Sequence, residues 1–173
     1  MLAGFLLSAP DIFVNLFRMA IDFLFIGALS FLCGEALPRK NFDYREFPFC
    51  CFAWEENGKW YLKFKIDRWK DKMPDMSQYI QKTVRKKMPF NRMGSELTYR
   101  LVIETCVAEL VHWLLIIVSP VFLVLMDGLW GWAGIGLSIL GNLPFIMIQR
   151  FNRPRMVRVY ERQIKHEQRR MGK

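Results

Sequence analysis

The fold of this chain is decided by residues 101–125, LVIETCVAELVHWLLIIVSPVFLVL, where a long apolar run contains only a few polar positions. About 20 predominantly apolar residues are enough for a helix to cross the hydrocarbon core of a bilayer. A second such run covers residues 129–148, and a short turn joins the two. The sequence therefore predicts a transmembrane helical hairpin over residues 101–149.

A third apolar segment covers residues 12–33, within an N-terminal apolar helix predicted over residues 1–33. Arg18 and Asp22 stand four positions apart in it and can pair on one face of a helix. The segment fits either a membrane span or a helix lying at the interface. It is not typical of a signal peptide, because no basic region precedes the apolar run. We expect a mainly α, small polytopic membrane protein with about three transmembrane helices.

Positive charge is concentrated in two regions outside these apolar runs. Fifteen of the 25 Lys and Arg residues lie between Arg39 and Arg100, and nine lie between Arg150 and Lys173. Because such residues accumulate in cytoplasmic loops, we expect residues 34–100 and 150–173 on the cytoplasmic side of the cell membrane. The chain is thus predicted to be one membrane domain, residues 1–173, with a cytoplasmic interfacial loop and a basic tail.

The loop begins with aromatic and charged residues in alternation over residues 38–69, a pattern typical of an interfacial layer. Turn chemistry at residues 55–59 allows either a short β-hairpin or an amphipathic helix there. A basic helix is predicted over residues 77–88. It fits attraction to anionic membrane lipids, or a landing surface for a phosphate-bearing donor. No nucleic-acid-binding module is present, so nucleic acid is not an expected partner.

The four cysteines and two histidines do not form a metal-binding pattern. No CxxC spacing occurs, so no metal site is expected. Cys50 and Cys51 fall in the predicted cytoplasmic loop, where thiols are normally kept reduced.

Ionisable side chains inside the apolar run at residues 101–125 indicate a functional site, because insertion of each one into a membrane costs roughly 2.5–3.5 kcal/mol. On a helix, Thr105, Glu109 and His112 share one face, so Glu109 can orient His112. Histidine accepts protons near neutral pH, which is what activation of a hydroxyl requires. Glu104 lies nearer the cytoplasmic end and can contact the basic loop instead, so either carboxylate can serve the histidine. The alternative is a hydrogen bond that only joins helices.

The end of the apolar run at residues 129–148 carries a second set of polar residues. Asn142 and Pro144 are expected to interrupt the helix, since proline removes one backbone donor. The polar groups then line a cavity, unless the kink serves only packing. Arginine and amide side chains follow at the predicted cytoplasmic boundary, and a guanidinium suits phosphate or carboxylate. The other interpretation is a positive-inside anchor.

The order and spacing of these motifs resemble the glycosyl-4,4′-diaponeurosporenoate acyltransferases of staphyloxanthin-type carotenoid biosynthesis. The resemblance covers residues 69–155 and extends more loosely back to Gly34. It is carried by Trp69-Lys70-Asp71-Lys72 with Asp75, by Glu104-Thr105, Ala108-Glu109 and His112-Trp113, and by Asn142, Pro144, Gln149-Arg150 and Asn152-Arg153-Pro154-Arg155.

This resemblance implies a membrane-bound O-acyltransferase that moves a fatty acyl group onto a sugar hydroxyl of a glycosylated lipid or carotenoid. His112 would be the catalytic base, with Glu109 or Glu104 as its partner. No cofactor is expected beyond an acyl-CoA or acyl carrier thioester as co-substrate. The expected partners are this acyl donor, the glycosylated lipid acceptor, anionic membrane lipids and, for some functions, further copies of the chain. The predicted substrate-binding residues are Asn142, Gln149, Arg150, Asn152, Arg153, Arg155, Trp69, Lys70, Asp71 and Asp75.

Two other functional classes fit the same composition. One is a non-catalytic membrane adaptor that binds anionic lipid and recruits a partner enzyme, and the other is a lipid carrier that must oligomerise. Within the acyltransferases, the chain has no HxxxxD motif and no GxSxG elbow, which argues against a glycerolipid-type enzyme and a serine acyl-enzyme. Replacement of His112 separates the classes, because an adaptor should tolerate it.

Overall fold

The computed structural model describes residues 9–73 and 94–172, and it contains three long helices. These are α1 (Ala9–Ala36), α3 (Ser95–Val118) and α5 (Leu129–Met171). Two single-turn helices, α2 (Ile66–Trp69) and α4 (Phe122–Leu125), lie between them. Short 3₁₀ segments complete the regular structure, at Arg39–Asn41, Ala53–Phe64, Lys70–Lys72 and Ser119–Val121.

Three helical segments are long and apolar enough to cross a membrane. They cover Asp11–Ala36, Ser95–Leu125 and Leu129–Met171. Along α1 the large apolar side chains of Phe13, Leu24 and Phe25 are exposed, as expected for a helix surrounded by lipid. The prediction of a mainly α membrane protein with three spans is therefore confirmed.

Helix α5 continues through both of its prolines, Pro144 and Pro154. The expectation that Asn142 and Pro144 interrupt this helix is therefore wrong. Membrane helices tolerate proline because neighbouring groups and small local adjustments satisfy the freed backbone carbonyl. At 43 residues the helix is about 65 Å long, roughly twice what a bilayer core requires.

The aromatic stretch before α2 is helical rather than stranded. It forms the 3₁₀ segment Ala53–Phe64, which is broken at Glu56, Asn57 and Gly58 by positive φ angles. The predicted turn is present, but the hairpin interpretation is wrong, because no strand occurs within residues 9–73 and 94–172. Hydrogen-bond geometry is poorer in a 3₁₀ helix than in an α-helix, so this stretch depends on packing for its stability.

The chain divides into two compact units, and the first consists of Met1–Leu37 and Val111–Leu143. Its core is formed by Met19, Phe122 and Met126. Gly134 packs directly on Phe122, since a Cβ atom there would lie 2.6 Å from the ring carbon Cγ. Only glycine allows this close approach within the hairpin.

The second unit consists of Pro38–Leu110 and Pro144–Lys173. Tyr61, Ile66, Ile148 and Phe151 form its apolar core, which joins the 3₁₀ segment and α2 to α5. The single domain predicted over residues 1–173 stays a prediction. Asp75 and the basic helix predicted at residues 77–88 lie outside the residues that the structure describes.

Candidate active site

His112 of α3 is held by Asn142 of α5. Its ring nitrogen Nδ1 lies 2.8 Å from the Asn142 side-chain oxygen Oδ1. The amide nitrogen of Asn142 donates to the Ser138 carbonyl one turn earlier, at 2.8 Å. Because a carbonyl oxygen only accepts, this second bond fixes the orientation of the amide and directs Oδ1 toward the histidine.

The fixed amide also decides where the imidazole carries its proton. Oδ1 is an acceptor, so Nδ1 of His112 is the donor in this hydrogen bond. In the neutral ring the lone pair then resides on Nε2, the state that a general base requires. The sequence predicted both residues for the site, and the structure brings them together. The partnership predicted between Glu109 and His112 stays a prediction.

A small cavity lies beside Asn142 within the first unit. Its volume is about 90 Å³, and Asn142 and Ser138 line it together with apolar residues such as Phe23, Leu115 and Phe122. The hydroxyl of Ser138 donates to the Leu115 carbonyl at 3.3 Å, which links α5 to α3. The polar groups of the hairpin thus border a mostly apolar space.

Glu109 is the centre of a buried ionic cluster in the second unit. Its carboxylate is fully buried, and its two oxygens each accept a hydrogen bond of 2.5 Å, one from Arg150 and one from Arg153. Two positive charges on α5 therefore share one carboxylate on α3. Such a cluster is costly to bury unless its members are fully hydrogen-bonded.

Arg150 meets that condition completely. Beyond Glu109, it donates to both oxygens of Glu55, at 2.6 and 3.0 Å, and to the carbonyls of Pro48 and Cys50. These bonds use all five N–H groups of the guanidinium. Arg150 was predicted to bind substrate, and that role would require one of these bonds to open.

Arg153 is almost as fully engaged. It donates to the Thr105 hydroxyl at 2.8 Å and the Thr105 carbonyl at 3.0 Å, and to the Phe49 carbonyl at 2.7 Å. Together with the bond to Glu109, these bonds use four of the five N–H groups of Arg153. The Arg153 side chain is only 5% exposed. One N–H on Nη1 has no acceptor within the described part of the chain.

Glu55 completes the cluster from the loop side. Its carboxylate accepts from the Tyr61 hydroxyl at 2.5 Å and from the Phe52 backbone N–H at 2.7 Å. Burial alone would raise the pKa of Glu55, but the hydrogen bonds from Arg150, Tyr61 and Phe52 outweigh it and lower that pKa. Burial and the bond to Glu55 raise the pKa of Tyr61. Both groups therefore keep their ordinary charges at neutral pH.

Glu104 lies apart from the buried cluster. Its two carboxylate oxygens accept from Arg39 at 3.0 and 3.2 Å in a bidentate pair that is partly exposed. The sequence allowed Glu104 to contact the basic loop rather than the histidine, and Arg39 belongs to that loop. Its catalytic role stays a prediction.

The remaining predicted binding residues are more exposed. Arg155 stacks on Phe151 of its own helix and donates to that residue's carbonyl. The Trp69 indole donates to the Phe64 carbonyl at 3.0 Å, and Lys70 pairs with Asp71 at 2.6 Å. Gln149 and Asn152 are half-buried on α5. None of these residues lines the larger cavity described next.

A cavity of about 270 Å³ lies within the second unit, over the ionic cluster. Its wall combines aromatic and aliphatic side chains with charged groups. The charged residues that line it are Arg45, Glu55, Arg150, Arg153, Arg158 and Glu161.

Two cysteines also line this cavity, Cys50 and Cys51, and both are free thiols. Burial and the neighbouring Glu55 raise the pKa of Cys51, which lowers the thiolate fraction needed for nucleophilic attack. Among the described residues, no group of three or more His, Cys, Asp or Glu side chains is arranged to hold a metal ion.

Sequence reasoning missed Glu55, Tyr61 and Ser138. Glu55 was assigned to a turn, because its neighbours Glu56, Asn57 and Gly58 favour one. Nothing local in the sequence marks its carboxylate as the partner of an arginine 95 residues later. One signal was available, since a carboxylate among many aromatic residues needs a cation if it is buried.

The sequence model of the family described as glycosyl-4,4′-diaponeurosporenoate acyltransferase matches residues 38–162. Two relatives of that name come from Staphylococcus aureus. The protein of strain bovine RF122 / ET3-1 is 31% identical over 129 residues, covering 73% of this chain and 76% of the relative. The protein of strain N315 is 30% identical over 128 residues with the same coverage. No solved structure matches the chain significantly. The chain therefore belongs to the glycosyl-4,4′-diaponeurosporenoate acyltransferase family.

Proposed function

We propose that this protein is a membrane-bound O-acyltransferase that moves a fatty acyl group from an acyl thioester to a sugar hydroxyl of a glycosylated lipid or carotenoid. The observation that carries the proposal is the contact of His112 with Asn142 in a chain of this family. The relatives' name specifies an acyl group and a glycosylated acceptor. A histidine with a fixed tautomer supplies the base that such a transfer needs.

In the proposed reaction His112 accepts the proton of the sugar hydroxyl. The hydroxyl oxygen attacks the thioester carbonyl carbon, and a new C–O bond forms as the C–S bond breaks. The imidazolium then returns its proton to the departing thiolate, so the products are an ester and a free thiol. His112 ends in its starting state, and no resident cofactor or metal enters the scheme.

Asn142 acts in this scheme as a positioning residue. It holds Nδ1 of His112 through an amide that is itself fixed by the Ser138 carbonyl. A ring held on one nitrogen is oriented for proton transfer at the other, and at metal sites the loss of such a partner of a histidine costs about 10- to 100-fold in activity.

The proposed setting is the cell membrane, with residues 34–100 and 150–173 on the cytoplasmic side. This orientation follows from the distribution of Lys and Arg. It places the donor thioester on the side where acyl carriers reside. Anionic lipids are the proposed neighbours of the basic regions, and assembly of several copies is compatible with the scheme.

The test is transfer of radioactive acyl groups from acyl-CoA to glycolipid acceptors in membranes that contain the full chain. His112→Gln should lower transfer by about 10²- to 10⁴-fold, the usual contribution of a general base. His166→Gln is the matched control, because His166 is exposed near the end of α5 and should tolerate the change.

Two results would contradict the proposal. Equal transfer by wild type and His112→Gln would remove His112 from the mechanism. No transfer by the wild type, with several thioester donors and glycosylated acceptors supplied, would favour the adaptor alternative. In that case binding of anionic lipid should survive His112→Gln.

A further inference from the structure

We propose that the 270 Å³ cavity of the second unit is a binding site for a phosphate ester, recognised by Arg45, Arg153 and Arg158. The inference rests on the proposed function, since the carriers of acyl thioesters contain phosphate esters. It assigns recognition of the donor to residues other than Arg150 and Arg155.

The first argument is the supply of hydrogen-bond donors. Arg45 uses its Nε to donate to the Tyr44 hydroxyl at 3.1 Å, and its Nη groups have no acceptor within residues 9–73 and 94–172. Arg158 is exposed and likewise has no hydrogen-bond acceptor in that part of the chain. Arg153 adds its remaining N–H from the buried side of the cavity. These planar donors match the geometry of phosphate oxygens.

The second argument is the charge balance around the cavity. The buried cluster contains two carboxylates, Glu55 and Glu109, and two guanidinium groups, Arg150 and Arg153, so it is neutral as a whole. The other charged residues that line the cavity are Arg45, Arg158 and Glu161. The wall therefore has an excess of positive charge, and that excess lies on side chains with unused donors.

The third argument is the fixed position of the buried donor. Arg153 is held by Thr105, Phe49 and Glu109, and its side chain is only 5% exposed. A guanidinium held in this way loses little conformational freedom when it binds an anion. Arg45 and Arg158 can close over the same anion from the exposed side.

The size of the cavity restricts what it holds. Sites for small molecules usually measure about 300–1,000 Å³, and this one lies just below that range. It therefore accommodates a phosphate with the beginning of its attached chain rather than a whole nucleotide carrier. Phe49, Pro154 and Val157 form an apolar part of the wall against which that chain can pack.

Two sources supply the same chemistry, a phosphopantetheine-type acyl donor and the headgroup of an anionic phospholipid. The probes are coenzyme A and vesicles of phosphatidylcholine with or without phosphatidylglycerol. Binding of each probe is measured on the full chain in detergent or nanodiscs by equilibrium titration. Arg45→Gln and Arg158→Gln should each weaken binding of the recognised probe about 5- to 10-fold, as loss of a charge-assisted contact predicts.

Arg162→Gln is the matched control, because Arg162 is exposed one turn after Arg158 on α5 and does not line the cavity. Weaker binding of coenzyme A in the two cavity variants supports a donor site. Weaker binding of phosphatidylglycerol vesicles alone supports a headgroup site. Unchanged affinity for both probes, or an equal loss in Arg162→Gln, would overturn the proposal.

A second measurement separates this inference from the proposed function. A thioester of N-acetylcysteamine carries no phosphate, so its KM should be the same in wild type and Arg158→Gln. With acyl-CoA, the KM of Arg158→Gln should rise about 5- to 10-fold. If no thioester supports transfer, the proposed function fails, while the titration with coenzyme A still decides the binding site.

Discussion

The Oδ1 atom of Asn142 lies 2.8 Å from Nδ1 of His112, and the same amide donates to the Ser138 carbonyl at 2.8 Å. The imidazole is thus oriented by a neutral group whose own direction is fixed by backbone.

Replacement of Asn142 tests this orientation. Asn142→Ala should lower kcat by about 10- to 100-fold, because the ring loses its fixed tautomer, while the KM for the acceptor changes little. Ser138→Ala is the control, since it removes a hydroxyl but keeps the carbonyl that Asn142 uses. If both variants lose the same activity, packing rather than the hydrogen bond explains the effect.

Removal of one member of the buried ionic cluster should destabilise the second unit strongly, because it leaves buried charges uncompensated. Glu109→Ala leaves Arg150 and Arg153 without their shared carboxylate and should cost about 3–5 kcal/mol of unfolding free energy. Glu104 lies on the same helix and pairs with Arg39 at a partly exposed position. Glu104→Ala should therefore cost only about 0–1 kcal/mol of unfolding free energy. Denaturant titration in detergent measures both. Similar losses for the two variants would contradict the burial of Glu109 as the shared partner of two arginines.

Acid should weaken the protein through Glu55. Its pKa is lowered in the folded chain, so its stabilising contribution is present above its ordinary value, near 4.5, and is lost as the pH falls through the lowered value. Glu55→Gln should therefore be less stable than wild type at neutral pH, and this difference should shrink below about pH 4. Thermal unfolding from neutral to acidic pH measures it. A constant difference would show that the carboxylate's charge does not matter.

Gly58 should be the most sensitive glycine of the loop. Its φ is +85°, and a Cβ atom would lie 3.0 Å from the Phe151 carbonyl oxygen and 3.2 Å from Nη1 of Arg155. Gly58→Ala should cost the strain of a left-handed residue, about 1–2 kcal/mol, and a further loss from this contact.

Gly128→Ala is the control for Gly58→Ala, because it introduces the backbone strain without the close contact. Gly128 has a φ of +54°, but no atom lies within 4 Å of its Cβ position. The two substitutions should therefore differ in unfolding free energy, with Gly58→Ala the more destabilising. Equal losses would mean that the loop moves away from α5 without cost.

The membrane helices could be predicted because the length and hydrophobicity of an apolar run are local properties of the sequence. The run at residues 101–125 required a membrane helix, whatever its neighbours did. The same local argument failed at Pro144, since the continuation of α5 depends on groups that lie around the proline. It also failed at residues 53–64, where aromatic residues favour strands but their packing on Ile148 and Phe151 favours helical turns.

The site residues could be named from sequence, but not their partners. Glu109 drew attention because charge within an apolar run is costly, and Arg150 and Arg153 because a guanidinium suits phosphate or carboxylate. Arg150 was expected to face a ligand at the membrane boundary, whereas it is buried and bonded to Glu55, 95 residues earlier. Residue type indicates that a charge needs a partner, and only packing decides which partner it finds.

The acceptors that Arg150 engages have a consequence for how the protein is made. All of them, at Pro48, Cys50, Glu55 and Glu109, precede Arg150 in the chain. Because synthesis proceeds from the N-terminus, each acceptor has already left the ribosome when Arg150 emerges. The guanidinium can thus be neutralised on arrival, which spares α5 the cost of burying an unpaired arginine. Insertion of α5 is then the step that completes the assembly, and chains truncated before Arg150 should be degraded.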